Sequence, residues 1–157
     1  MIDHPQIVQT EPQLTAVIHL TVPRDQIREV MGPGITEIRA TLAAQGITPT
    51  GPWMNHHLQM DEEIFDFEIT VPVPRAVAAS GRVRPGQLPG VRAARTIYHG
   101  GYEGLGEAWD EFTRWIAAQG QTATPDLLEC YLAGPEMSDD PADWRTELTR
   151  PLLASAQ

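Results

Sequence analysis

Lysine is missing from this 157-residue chain: all eleven basic residues are arginine, set against 21 acids for a net charge of −10. That balance argues against direct nucleic-acid binding, which needs clustered cations to meet phosphates, and it suits neutral or cationic ligands. Cysteine occurs once, at Cys130, so an internal disulfide is excluded and the cytoplasm is the expected compartment. Long apolar runs are also lacking. No stretch approaches the roughly 18 residues of a membrane helix, and the N-terminal MIDHPQIVQTEP has no basic-then-apolar leader pattern. The sequence has no Ser–His–Asp pattern, no zinc motif and no nucleotide loop, so neither a metal nor a cofactor is expected. What remains, 41% hydrophobic and 20% charged, is the composition of an ordinary globular protein. Five arginines (Arg75, Arg82, Arg84, Arg92, Arg95) gather in the central stretch, as a solvated hairpin would place them.

The organising feature is an internal duplication. IRATLAAQG (38–46) resembles FTRWIAAQG (112–120) at an offset of 74, and FEITVPV (67–73) resembles TELTRPL (146–152) at an offset of 79. The loop-like GPEMSDDPAD (134–143) accommodates the five extra residues. Each copy reads as strand, helix, strand, strand. In the first, a strand over 13–22 ends at Pro23, and a helix starting near Pro33 runs to Gly46, with 24–31 either a short helix or a loop. Strands at 53–60 and 63–72 follow, joined by the acidic turn Asp61-Glu62-Glu63. In the second, a hairpin arm (80–90) precedes a strand at 91–99. A helix with Leu105, Ala108, Trp109, Phe112 and Ile116 on one stripe then ends at Gly120, before strands at 126–133 and 144–150. The expected fold is α+β, with two pseudo-two-fold units whose antiparallel sheet packs on two helices and a ligand cleft between the repeats. Residues 1–12 and 153–157 read as tails around one domain at 13–152, divided into repeats of about 13–74 and 80–152.

Residues 99–112, HGGYEGLGEAWDEF, resemble a phosphate loop only in their glycines. Glu103, Glu107, Asp110 and Glu111 satisfy the helix dipole and repel an anion. Gly100 and Gly101 instead allow a tight reversal that fixes Tyr102 at the helix mouth.

The segment HGGYEGLGEAWDEFTRWIAAQG is similar to the His-x-Gly-Pro-Tyr-Glu-x-Leu segment of the GyrI-like effector-binding family. Such domains also occur behind DNA-binding modules in AraC-type and MerR-type drug-responsive regulators. PVP (72–74), LPG (88–90), PDLLECYL (125–132) and TELTRPL (146–152) match further pieces in family order. Gly101 stands where proline is commoner, and no DNA-binding module is attached, so the resemblance implies a freestanding ligand-binding domain.

Strand alternation sorts the candidate residues by face. Leu128, Cys130 and Leu132 are expected on a helix, with Glu129 and Tyr131 turned to the cavity. The 74-residue offset sets Asn55 against Glu129 and His57 against Tyr131, so Trp53, Asn55 and His57 would line the other half. Glu147 lies opposite the face of Trp144, Thr146 and Leu148. The resemblance implies that Glu129 and Glu147 match the acidic positions beside which relatives hold aromatic cations; from their own positions Tyr98 and Tyr102 are further pocket candidates, and Trp144, near a strand start, is either core or ligand contact. Trp109 reads as core and Cys130 as a small buried hydrophobe. His56 and His57 point to opposite faces and cannot share one ion without distortion. The expected function is binding of bulky aromatic, cationic small molecules for sequestration or sensing. The alternative is hydrolysis of strained-ring aromatic natural products, with Glu129 or Glu147 as base and Tyr131 or Tyr102 stabilising charge. A third reading is gyrase inhibition by the acidic surface of Asp61, Glu62, Glu63, Asp66 and Glu68.

Overall fold

In Gln13–Pro23 the residues Ala16, Ile18, Leu20 and Val22 alternate with Thr15, Val17, His19 and Thr21, the period of a strand with two distinct faces. The same rule, switched to helical spacing in two places, generates the whole element order. In the computed structural model, which describes residues 2–60, 63–134 and 137–153, the chain runs β1 (Gln6–Gln9), β2 (Gln13–Pro23), α1 (Ile27–Ala44), β3 (Met54–Met60), β4 (Ile64–Pro72), β5 (Arg84–Leu88), β6 (Arg92–His99), α2 (Leu105–Ala118), β7 (Leu127–Ala133) and β8 (Arg145–Pro151). Single 3-10 turns at Arg24–Gln26 and Tyr102–Gly104 lead into the two helices. Asp61 and Glu62, expected in the acidic turn, lie outside the described residues.

The elements form two units. One, residues 11–90, carries the antiparallel strands β3-β4-β2-β5 with α1. Ala16, Ile18, Phe67, Ile69 and Val71 of its sheet pack on Ile38 and Leu42 of α1. The other, residues up to Thr10 together with those from Val91, carries β7-β8-β6-β1 with α2. Its core joins Ala94, Tyr98 and Leu148 to Ala108, Phe112 and Ile116.

The duplication is visible residue by residue. Asn55 pairs with Ile69 and His57 with Phe67 in the first unit; Glu129 pairs with Leu148 and Tyr131 with Thr146 in the second. The offsets are 129 − 55 = 74 and 148 − 69 = 79, as in the sequence. Even the register shift recurs, between His57 and Gln59 and between Tyr131 and Ala133.

Two segments depart from expectation. The N-terminal stretch is not wholly a tail: β1 precedes β2 in the chain but pairs with β6, Ile7 opposite Ala94. The 80–90 arm does not belong with the second unit, since β5 precedes β6 but pairs with β2, Pro85 opposite Ala16. Each unit thus takes its edge strand from the segment leading into the other's first strand. Local sequence similarity could not show this exchange, because it is a choice of partner, not of conformation.

The first helix also begins earlier than Pro33, which lies in the interior of α1. A proline there removes one helical hydrogen bond and crowds the preceding turn. Ile27, Val30 and Met31, packed on the core, hold the turns before it. The two helices start 105 − 27 = 78 residues apart and end 118 − 44 = 74 apart, so α1 is four residues longer. Four residues make about one turn, which preserves the facing stripe.

Both helices close in the same way. Gly46 (φ 68°) and Gly120 (φ 72°) take the left-handed conformation. Behind them the N–H of Ile47 donates to Leu42 O at 2.9 Å and that of Gln121 to Ile116 O at 3.3 Å, the outer bond of a Schellman closure. No helix among the described residues is long and apolar enough to cross a membrane.

A Cβ added at Gly46 or Gly120 meets nothing within 4 Å, so substitution there tests backbone conformation alone. Gly46→Ala and Gly120→Ala should each destabilise the protein by about 1–2 kcal/mol. Urea unfolding midpoints check this; a cost at one position without the other would break the equivalence of the two closures.

Candidate functional site

Three strands of the second unit place Tyr98, Thr146 and Tyr131 in one transverse row and Thr96, Leu148 and Glu129 in the next. Paired residues of an antiparallel sheet share a face, and Tyr98 and Leu148 pack on α2. Glu129 and Tyr131 therefore lie on the helix face. This corrects the expectation that Leu128, Cys130 and Leu132 pack on the helix. Alternation defines two faces, but the landing of α2 decides which one is covered.

Glu129 is the centre of this face. It is 9% exposed, and its two oxygens accept different hydrogen bonds. Trp109 Nε1, from α2, donates to Oε2 at 2.8 Å, and the Tyr131 hydroxyl donates to Oε1 at 2.8 Å. Tyr102 stands edge-on to Tyr131 with ring centroids 5.8 Å apart, and lies against Trp144 at 5.0 Å. The Trp144 indole is anchored by donation to Ser138 O at 2.9 Å. Trp109 in turn lies 5.7 Å from Phe112. The result is a carboxylate of fixed orientation whose two donors each belong to an aromatic cluster, Trp109 with Phe112 and Tyr131 with Tyr102 and Trp144.

The turn that carries Tyr102 is built around Tyr98. The Tyr98 hydroxyl donates to Gly101 O at 2.7 Å. A Cβ at Gly104 would stand 2.1 Å from that hydroxyl, and one at Gly100, where φ is 139°, would stand 2.8 Å away. The glycines of this stretch thus let the backbone wrap a buried phenol. Burial pushes the Tyr98 phenol up from its ordinary value, and Glu103 and Glu107 add to the shift.

Glu147 does not join Glu129. One residue out of phase, it pairs with Cys130 and Ile97 on the opposite face, where its carboxylate lies 3.5 Å from Arg95 Nε. Cys130 beside it is buried, and desolvation, with Glu147 second, pushes its thiol up to about 12. It is a protonated, inert side chain.

In the first unit Asn55 and His57 are buried on the α1 face, His57 lying 5.3 Å from Phe65 and 5.5 Å from Phe67. Trp53, just before β3, packs against the same core. His56 falls on the opposite face with Glu68, its cross-strand partner, at 3.8 Å. Asp66, from the proposed acidic surface, is bonded to His19. Sequence reasoning read Trp109 as core alone and gave Thr146 no role. For Trp109 no local signal existed, since its partner lies 20 residues away on another element.

A buried carboxylate gripped by indole and phenol donors thus stands on one of two repeated α+β units, an arrangement of the kind that small-molecule sites use. The chain belongs to the family described as the GyrI-like small molecule binding domain, whose model matches residues 4–153. It is similar to the C-terminal domain of EcmrR, at 21% identity and a TM-score of 0.83 over 97% of this chain and 98% of that one. EcmrR in complex with DNA gives 20% identity and a TM-score of 0.85 over 97% of this chain, which spans 58% of the length of that DNA-bound relative. A hydrolase from Listeria innocua shares 12% identity at a TM-score of 0.71, covering 95% of this chain and 91% of its own. SAV2435 bound to tetraphenylphosphonium shares 13% identity at a TM-score of 0.59, covering 97% and 95%. No curated protein matches the chain.

The Tyr98–Gly104 fit makes a coupled prediction. Gly104→Ala should destabilise the protein by about 1–3 kcal/mol, because its methyl collides with the phenol. In a Tyr98→Phe background the hydroxyl is gone, and the cost of Gly104→Ala should shrink. A double-mutant cycle in urea checks this, and strictly additive costs would refute the fit.

Proposed function

We propose that the chain binds bulky aromatic organic cations on the helix face of its second unit, with Glu129 as the counter-charge. The observation that carries this reading is the carboxylate held by Trp109 and Tyr131 beside Tyr102 and Trp144. A carboxylate among aromatic rings attracts a delocalised cation twice, by charge and through the ring faces, the latter worth about 0.5–2 kcal/mol. Apolar walls with a few oriented polar groups describe small-molecule sites in general. The likeness to SAV2435, bound to a lipophilic phosphonium ion, supports the same ligand class. In a cell such binding serves sequestration or sensing.

The hydrolytic reading uses the same pair, Glu129 as base and Tyr131 as the stabilising hydroxyl, and is favoured by the likeness to the Listeria hydrolase. Geometry ranks it second. Each carboxylate oxygen already accepts from a protein donor and the group is buried, so water would have to reach a remaining lone pair. Glu147, paired with Arg95 on the other face, is left out of both readings. The acidic-surface reading gains no support, since Asp66 is bonded to His19.

Tetraphenylphosphonium titrated by calorimetry should bind the wild type, and Glu129→Gln, which keeps the shape and one acceptor oxygen while the rotatable Tyr131 hydroxyl can turn to accept from the new amide, should weaken it by about 1–3 kcal/mol. Equal affinity in the two proteins would defeat the reading. Incubation with a cyclopropane-bearing alkylator, followed by mass spectrometry, should return it unhydrolysed; a water adduct lost in Glu129→Gln would put the hydrolase first.

A further inference from the structure

The duplication supplies an internal control for each position of the site. With the offsets of the pairing, the covered face of the first unit reads Ile18, Leu20, Phe67, Ile69 where the second reads Thr96, Tyr98, Thr146, Leu148. The first set is a purely apolar core. At three of the four positions the second unit has exchanged a hydrocarbon for a hydroxyl. A change of this kind costs stability unless the hydroxyl finds a partner.

Two of the three have one. Thr96 donates to Asp3 O at 2.7 Å and ties down the N-terminal segment. Tyr98 donates to Gly101 O and shapes the turn of Tyr102. Thr146 is 0% exposed, and among the described residues its Oγ1 has no hydrogen-bond partner. It sits in the row between Tyr98 and Tyr131, next to the row of Glu129. Phe67, its equivalent, is also fully buried, so the exchange replaces a ring by a much smaller side chain next to Tyr131.

We propose that Thr146 is a specificity-determining residue of this site. Its hydroxyl meets a hydrogen-bonding substituent on the bound cation, so the preferred ligands are aromatic cations that carry a hydroxyl or amine. This rests on the cation-binding reading and adds to it a chemical preference that charge and ring stacking cannot supply. The substituent enters beside Tyr102, which is in ring contact with Tyr131, the cross-strand partner of Thr146.

The test compares two probes that differ by one hydroxyl: tetraphenylphosphonium and (4-hydroxyphenyl)triphenylphosphonium. The wild type should bind the hydroxylated ion about five-fold tighter, the effect of one ordinary hydrogen bond. Thr146→Val, of the same shape, should bring the ratio of the two affinities to about one, and Thr146→Ser should keep the preference. The apo melting temperature of Thr146→Val should not fall, since a buried hydroxyl without a partner is removed; this separates loss of recognition from loss of fold. If Thr146→Val weakens both ions by the same factor, or the wild type shows no preference, Thr146 only packs and the proposal is overturned. If Glu129→Gln leaves both affinities intact while the Thr146 ratio behaves as described, the fault lies with the counter-charge reading alone.

Discussion

The pairing register of β7 on β8 is the constraint from which the site follows. Side chains alternate along a strand, so a slip of one residue would exchange Glu129 and Tyr131 for Leu128 and Cys130 on the covered face. Trp109 would then face no acceptor, and a carboxylate would stand on the opposite face beside Glu147. The register is set by burial: Leu148, opposite Glu129, and Thr146, opposite Tyr131, are both fully buried. The recurrence of the same register and the same shift in β3 and β4 shows that it is a property of the repeated unit, older in the architecture than the chemistry placed on it.

That distinction explains the asymmetry between the copies. The first unit fills its face with Ile18, Leu20, Phe67 and Ile69 around Asn55 and His57. The second keeps the backbone and substitutes Glu129, Tyr131, Tyr98 and Thr146 at the matching places. On the proposed reading, a site grafted on one half of a duplicated fold leaves the other free to supply packing. Each unit is closed by an edge strand distant in sequence from its partner, β1 on β6 and β5 on β2. Four-residue β1 and the proline-bearing β5 are short or poorly suited to further pairing, the usual protection of a sheet edge.

Much of this was legible beforehand. Repeated AAQG and the two offsets gave the duplication, because identical helix closures need the same glycine and the strands that follow keep their spacing. Period-two alternation correctly separated Glu129 from Cys130 and Glu147 from Leu148. It could not say which face a helix would cover, and there the expectation failed. The edge-strand exchange and the Trp109–Glu129 bond were equally hidden, both being matters of long-range partnership. The Phe67/Thr146 difference, by contrast, stood in the aligned segments FEITVPV and TELTRPL; only the knowledge that the position is buried gives it meaning.

The net charge of −10 and the buried carboxylate of Glu129 act on different scales. Exposed acids attract cations from a distance, but at physiological salt their field fades over about 8 Å, so they raise encounter rates without choosing among cations. A unit charge pair at 4 Å is worth about 1 kcal/mol in water and about 4 kcal/mol at the effective dielectric of a protein surface region. On the cation-binding reading, Glu129, buried and held in orientation by two donors, is the acid of this face that would turn proximity into affinity. The neighbouring rings would then favour a delocalised charge, and the hydroxyls what that charge is attached to.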